Sequence, residues 1–288
     1  MKILITIPHY YRHEENSNHG SMKKDPAPRI EALTGCITSI HQHLGTSQCF
    51  MDHFLKQTFP ANLHQQHQID ILICTTRQCH ILGELSLPYT GYSHLETDAE
   101  PMLLGFECAK IMKGHLGEYD YYCYMEDDLI IPDSLFLQKI KWFTDATSSA
   151  NLLQPNRFEL SRNHSVLKCY LDGNVGNIYS CLSLYPTDGP EFSANFFGSY
   201  FRFCQPLNPH SGCFFLNAEQ FEYWTMQPHF NEKDTSFIGP LESAASIGIM
   251  KTFNIYKPVP DNANFLEIEH HGNSFIKMIA ETNGFSGK

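Results

Sequence analysis

The chain has 288 residues, 42% of them hydrophobic and 13% aromatic, which is enough for a sizeable buried core. Only 18% are charged, which sets it apart from disordered and coiled-coil sequences. Aspartate and glutamate outnumber lysine and arginine by 31 to 20, a net charge of −11 that no basic run offsets; such a surface repels phosphate backbones and excludes nucleic acid as the expected partner.

Ile3-Leu4-Ile5-Thr6-Ile7 is a β-branched run closed by Pro8 and reads as a first core strand. A polar loop follows from Tyr10 to Lys24. Asp25 stands where it can cap a helix with Pro26 and Pro28 at its start and Ile30, Leu33, Ile37, Ile40 and Leu44 at helical spacing. Residues 69–74 read as a second strand. Residues 101–115 read as a helix, with Leu104, Cys108, Ile111 and Met112 on one side and Gly114 or Gly117 as the stop. Residues 119–125 form an aromatic strand that runs into Glu126-Asp127-Asp128, and 132–146 resume as a helix. Residues 151–210 are rich in Asn, Ser, Gly, Pro and aromatics and have little periodicity. Helices are expected again over 218–224 and 242–253, and a last strand over 265–269.

Alternation of strand and helix predicts an α/β chain with one mostly parallel central sheet covered by helices. Ligands on such sheets bind at the carboxyl ends of the strands. That rule lines up Pro8-His9-Tyr10, Thr75-Thr76-Arg77 and Glu126-Asp127-Asp128 along one rim. The ten cysteines are scattered and form no C-x-x-C, and several sit in apolar runs, so they are expected reduced. No signal peptide is visible and no apolar stretch approaches the roughly 18–20 residues that span a bilayer, so the expected location is cytoplasmic.

Three consecutive carboxylates at a strand end repel one another, and desolvation there raises their pKa values further unless a cation is present. A divalent metal resolves the conflict, since hard cations prefer carboxylate oxygens. A solvated acidic turn before a helix start, where negative charge is favoured, resolves it too. Because side chains alternate along a strand, the three cannot all reach one ion directly. Arg29 and Arg77 have two readings, contact with phosphates or structural ion pairs; His9 and Tyr10 either line a base pocket or end a strand. There is no P-loop, G-x-G-x-x-G or G-x-S-x-G.

The stretch from Tyr119 to Phe136, with Glu126-Asp127-Asp128-Leu129 followed by Pro132-Asp133 and Phe136, resembles the DXD-bearing strand and helix of GT-A glycosyltransferases, and its acidic motif is similar to that of the N-acetylglucosaminyltransferase I family. Ile5 to Tyr10, Arg29 to Leu33, Glu242 to Ser246 and His270-His271 resemble further parts of that superfamily. The resemblance implies a GT-A-like, Rossmann-type α/β sandwich spanning 1–288, with a nucleotide-binding half at 1–146 and an acceptor-binding half at 147–288. It implies Mn²⁺ or Mg²⁺ held by Asp128 with His270 or His271. Pro8, His9, Tyr10, Arg77, Glu126 and Asp127 would meet a UDP- or GDP-sugar donor, and Glu242 would be the base for a carbohydrate acceptor hydroxyl. The family's base motif carries two adjacent acids, whereas Ser243 follows Glu242 here. Two other classes fit the same residues. One is a metal-dependent hydrolase or nucleotidyltransferase, and the other is an inactive carbohydrate-binding protein on that scaffold.

Overall fold

The computed structural model describes residues 1–15, 20–87, 91–176, 183, 185, 188–196 and 198–283. Part of the polar loop (16–19) and Cys181 therefore lie outside the described residues.

Fifteen strands and six helices follow in order among those residues. The first half contains β1 (Lys2–His9), α1 (Ala27–Leu44), β2 (Cys49–Asp52), β3 (Gln57–Pro60), β4 (Gln68–Thr76), β5 (Ser93–Thr97), α2 (Leu104–Gly114), β6 (Tyr121–Met125), β7 (Leu129–Ile130) and α3 (Phe136–Ala146). Then come β8 (Asn151–Leu153), β9 (Asn156–Leu160), β10 (Lys168–Tyr170), β11 (Phe192–Phe196), β12 (Ser199–Cys204), β13 (Cys213–Asn217) and α4 (Ala218–Thr225). The chain closes with α5 (Pro240–Met250), β14 (Asn254–Pro258), β15 (Glu267–His270) and α6 (Ser274–Asn283).

The fold is mixed α/β. Its five-stranded sheet has the order β13-β6-β1-β4-β5, with β6, β1, β4 and β5 mutually parallel and β13 antiparallel at one edge. Alternation along the strands builds a core on each face. Ile3, Ile5, Ile7, Tyr121, Cys123 and Met125 face α1 and α3, packing on Leu33, Ile37, Ile40 and Phe136. Leu4, Tyr122 and Tyr124 face the other way, onto Cys108, Met112, Phe221 and Ile247 of α2, α4 and α5. Gly105 is required where α2 crosses α5, because a Cβ there would sit 2.6 Å from the Ala244 Cβ. This order brings the carboxyl ends of β1, β4 and β6 to one edge.

One central sheet is not the whole structure. Two four-stranded sheets, β10-β9-β15-β7 and β11-β12-β14-β8, and an isolated hairpin of β2 and β3 complete it. These strands are short, and several pair across long sequence separations, as when Asn151 of β8 aligns with Asn254 of β14. Local periodicity carries no trace of such pairing. The helix at 101–115 begins as a 3₁₀ turn over Pro101–Leu103. Asp25 caps less directly than expected: its carboxylate accepts the Ala27 N–H at 3.0 Å, while Pro26 holds the N-cap position. The last strand starts two residues later than expected because Pro260–Phe265 forms a 3₁₀ segment. Nine described cysteines are free thiols. No helix among the described residues is long and apolar enough to cross a membrane.

Candidate active site

The acidic triplet turns between the carboxyl end of β6 and β7, with the Glu126 N–H donating to Gly212 O at 2.9 Å and the Leu129 N–H closing the turn on Glu126 O at 3.3 Å. The turn sends the two carboxylates apart, Glu126 toward His210 and Asp127 toward Arg29 and His9. Asp127 meets α1. It pairs with the Arg29 guanidinium and accepts a hydrogen bond from His9 Nδ1 at 2.5 Å. The Ile81 N–H donates to His9 Nε2 at 3.4 Å, which places the His9 proton on Nδ1. Burial alone would push the Asp127 carboxyl up, but the Arg29 charge and the His9 hydrogen bond outweigh it and hold it far below the usual carboxylate range.

Asp128 is the hinge of the site. Its Oδ2 lies 3.0 Å from Arg29 Nη1 and 3.9 Å from His270 Nε2, while its Oδ1 is buried with no hydrogen-bond partner among the described residues. The register of β15 on β7 pairs His270 with Leu129 and so sets the ring beside Asp128. His270 Nδ1 is held at 3.1 Å by Glu159, a fully buried carboxylate on β9. Glu159 also accepts the N–H groups of Phe275 (3.3 Å) and Ile276 (2.9 Å) at the start of α6. Burial opposes a charged His270 ring, yet the Glu159 hydrogen bond and the Asp128 charge prevail and raise its pKa.

Glu126 faces α5 and finds a different environment. Its Oε1 is buried and unpartnered, 3.9 Å from His210 Nε2, which is also unpartnered among the described residues. Gly212, at φ +66°, leaves room for the carboxylate, since a Cβ there would lie 2.8 Å from Glu126 Oε2. Burial, then the charges of Glu242 and Asp128, push the Glu126 carboxyl well up, with Arg157 opposing. His210 is fully buried, and burial with Arg157 and Lys257 nearby pushes its pKa well below the ordinary histidine value. The two are therefore not an ion pair at neutral pH. The Gly212 N–H donates to His210 Nδ1 at 3.3 Å, leaving the proton on Nε2, toward Glu126. Tyr124 contributes another buried polar atom, its hydroxyl, which has no hydrogen-bond partner among the described residues.

Behind this wall Arg157 and Lys257 share Asp172, at 2.9 Å from Arg157 Nε and 2.7 Å from Lys257 Nζ. All three side chains are nearly or fully buried. Burial would raise the Asp172 carboxyl, but the two cations hold it below its ordinary value.

The residues singled out from sequence separate into groups. Asp127, Asp128, His270 and Glu126 come together with Arg29 around the end of β6. Glu242 sits in the first turn of α5 and is felt electrostatically by Glu126, Tyr124 and Arg157. Gly239 before it lies close to that side chain: a Cβ there would fall 2.6 Å from Glu242 Oε2 and would displace the carboxylate. His9 is buried against Asp127, and Pro8 is buried within β1 opposite Cys74. Tyr10 is half-buried and packs against the α2/α5 core. His271 donates its backbone N–H to Asp128 O at 2.8 Å, while its ring lies 3.8 Å from Glu31. Arg77 is exposed at the end of β4 with φ 50° and has no ion pair among the described residues. Sequence reading missed Glu159, Arg157, Asp172, Lys257 and the ring of His210.

The donor set at Asp128 fits a divalent cation. A 3.9 Å gap between an imidazole nitrogen and a carboxylate oxygen spans an ion bound at roughly 2.0–2.2 Å from each. A carboxylate on the far ring nitrogen is the usual device for orienting a metal-binding histidine. No group of three or more His, Cys, Asp or Glu side chains poised for a metal occurs among the described residues. Two protein ligands suffice where substrate phosphates complete the shell, as is common for Mg²⁺.

No protein-family model and no curated protein matches this chain.

Proposed function

We propose that this protein is a metal-dependent glycosyltransferase of the GT-A type, moving a sugar from a UDP- or GDP-sugar to an acceptor hydroxyl. The observation that carries the reading is the pairing of Asp128 with a Glu159-oriented His270 at the carboxyl end of a parallel strand, with Arg29 beside the same carboxylate. Two positive centres, one arginine and one divalent cation, match the charge of a diphosphate better than that of a monoanion. Mn²⁺ or Mg²⁺, if held by Asp128 and His270, would supply electrostatic stabilisation for a departing diphosphate.

The chain's own residues perform the remaining work. Asp128 and His270 would hold the cation, and Glu159 keeps the His270 ring turned with Nε2 toward Asp128. Asp127, bonded to His9 and Arg29, keeps the guanidinium positioned next to the phosphates. Glu126 Oε1, His210 Nε2 and the Tyr124 hydroxyl are buried polar atoms with no hydrogen-bond partner among the described residues, suited to the hydroxyl groups of a sugar. Glu242, at the rim of that wall in the first turn of α5, takes the proton of the acceptor hydroxyl. The GT-A fold assignment and the division into a donor half and an acceptor half belong to the same proposal.

Calorimetry with UDP and GDP in the presence and absence of Mn²⁺ tests the reading. Tight nucleotide diphosphate binding that requires Mn²⁺ and disappears in Asp128→Asn is the expected outcome. With a turned-over nucleotide-sugar in hand, Glu242→Gln should lower the rate by ~10²–10⁴-fold while donor affinity persists. Absence of metal-dependent binding to either diphosphate rejects the transferase. Binding with no donor hydrolysis at all leaves only an inactive scaffold.

A further inference from the structure

The hairpin of β2 and β3 belongs to no other sheet and projects between the end of α1 and the start of β4, at the amino edge of the central sheet, opposite the acidic site. Its side chains are strongly apolar and stand in water. Phe54 at the tip is 92% exposed, Phe50, Met51, Leu55 and Leu63 are each more than half exposed, and Phe59 is nearly so. Phe50 and Phe59 stack at 5.9 Å, a cross-strand pair that stiffens the hairpin. The base is clamped: Ala61 N–H donates to Gln48 O at 3.0 Å, and Asn62 donates to Gln48 Oε1 at 2.7 Å. This is a built projection with apolar residues at its end.

We propose that this hairpin inserts into the interfacial layer of a neutral, zwitterionic lipid bilayer. Three observations favour that occupant. Apolar side chains lie on both faces and at the tip, with Phe50 paired to Phe59 and Met51 to Thr58, so an enveloping medium covers them where a protein groove would cover one face. Two tip donors are already satisfied within the hairpin and can leave water, because the N–H groups of Phe54 and Leu55 both bond to Asp52 Oδ1, at 2.9 and 2.8 Å. Charge selects the surface: Asp52 and Lys56 are the sole formal charges between residues 48 and 66, on a chain whose total is −11. A neutral probe on an acidic body fits zwitterionic headgroups, whereas an anionic membrane or a second −11 copy is repelled. Six apolar side chains also fall short of the 20–30 residues per partner of a standard dimer interface. Aromatic side chains at headgroup depth are a general feature of membrane-interface anchoring.

The proposal stands apart from the transferase reading and is tested without it. Full-length protein is sedimented with phosphatidylcholine vesicles, alongside a double variant carrying Phe54→Asp and Leu55→Asp. Both residues are exposed, so the double variant keeps its fold, checked by an unchanged thermal melt. The wild type should co-sediment and the double variant should lose at least tenfold in vesicle partitioning. Phe54→Trp supplies an independent readout, its emission moving to the blue when the same vesicles are added. Wild-type protein that stays in the supernatant overturns the proposal. So does binding confined to phosphatidylglycerol vesicles and retained by the double variant. A concentration-dependent dimer lost in the double variant, with no vesicle binding, assigns the hairpin to a second copy instead.

Discussion

Glu126 and Asp127 are adjacent carboxylates, both nearly inaccessible, and the protein treats them in opposite ways. On the α1 side Asp127 has a guanidinium and an imidazole N–H within hydrogen-bond reach, and its acidity is strengthened. On the α5 side Glu126 has a neutral histidine 3.9 Å away, a second carboxylate in Glu242, and an arginine already bonded to Asp172. Burial costs both groups the same kind of solvation. Partners decide the outcome, and the turn that follows β6 decides which partners each one meets. On the α1 side both Asp127 oxygens are paired, although Arg29 Nε and Asp128 Oδ1 have no hydrogen-bond partner among the described residues. The α5 side is left with open polar atoms, the condition of a surface built for something else to complete it.

That contrast makes mutational predictions of different size and sign. The largest effect is expected at Asp172, whose removal leaves two buried cations without a carboxylate. Asp172→Asn should cost about 3–5 kcal/mol near pH 7, read from urea unfolding at constant slope. The pH dependence has a fixed direction. Asp172 titrates lower in the folded state, so its contribution is complete above the unfolded value of about 3.9 and is lost as pH falls through the folded value. The stability gap between wild type and Asp172→Asn should therefore close only below about pH 4. A gap that closes near neutrality would show that Asp172 is not what balances Arg157 and Lys257.

Arg29→Met comes next, at about 3 kcal/mol by the same measurement, since Asp127 would remain buried with His9 as its one close partner. A loss below about 1 kcal/mol would mean that the α1 side is not held by its ion pairs, and the contrast with Glu126 would fail.

A third effect is smaller and functional. Glu159→Gln keeps an oxygen to accept from α6 but removes the charge that orients His270. Mn²⁺ affinity, measured with UDP present, should fall ~10–100-fold. A purely structural role would instead show as lost stability with affinity intact.

How much of this was legible in the sequence depends on whether the signal was local. The triplet and the parallel core strands announced themselves through composition and period. Glu242 and His270 were singled out by the family resemblance of the segments that carry them, not by composition or period. Glu159 and Arg157 alternate in Asn156-Arg157-Phe158-Glu159-Leu160, so two charges share one face of a strand flanked by apolar residues, a detectable sign of buried pairing. Their partners, Asp172 and His270, come from elsewhere in the chain, and Lys257, the second cation on Asp172, lies 85 residues from it. Pairing over that distance follows from strand order, which periodicity does not encode. The apolar hairpin was readable as composition in Phe50-Met51 and Phe54-Leu55, but its exposure became visible only once no sheet was found to take it in.

The smallest expected change is the most direct test of the comparison. Glu126→Gln replaces a carboxylate that lacks a hydrogen bond at Oε1 with a neutral group of the same shape. If the α5 side is short of positive charge, the substitution relieves repulsion from Glu242 and Asp128, and stability should stay level or rise by about 1 kcal/mol. An amide can still meet His210 Nε2 through its own oxygen, so packing is retained. The opposing term is the attraction of Arg157, which works through space on Glu126 while its Nε is bonded to Asp172. A loss of more than about 1 kcal/mol in Glu126→Gln would mean that this attraction dominates. The two sides of the strand end would then be electrostatically alike, and the open polar atoms beside Glu126 would need an explanation other than an awaiting ligand.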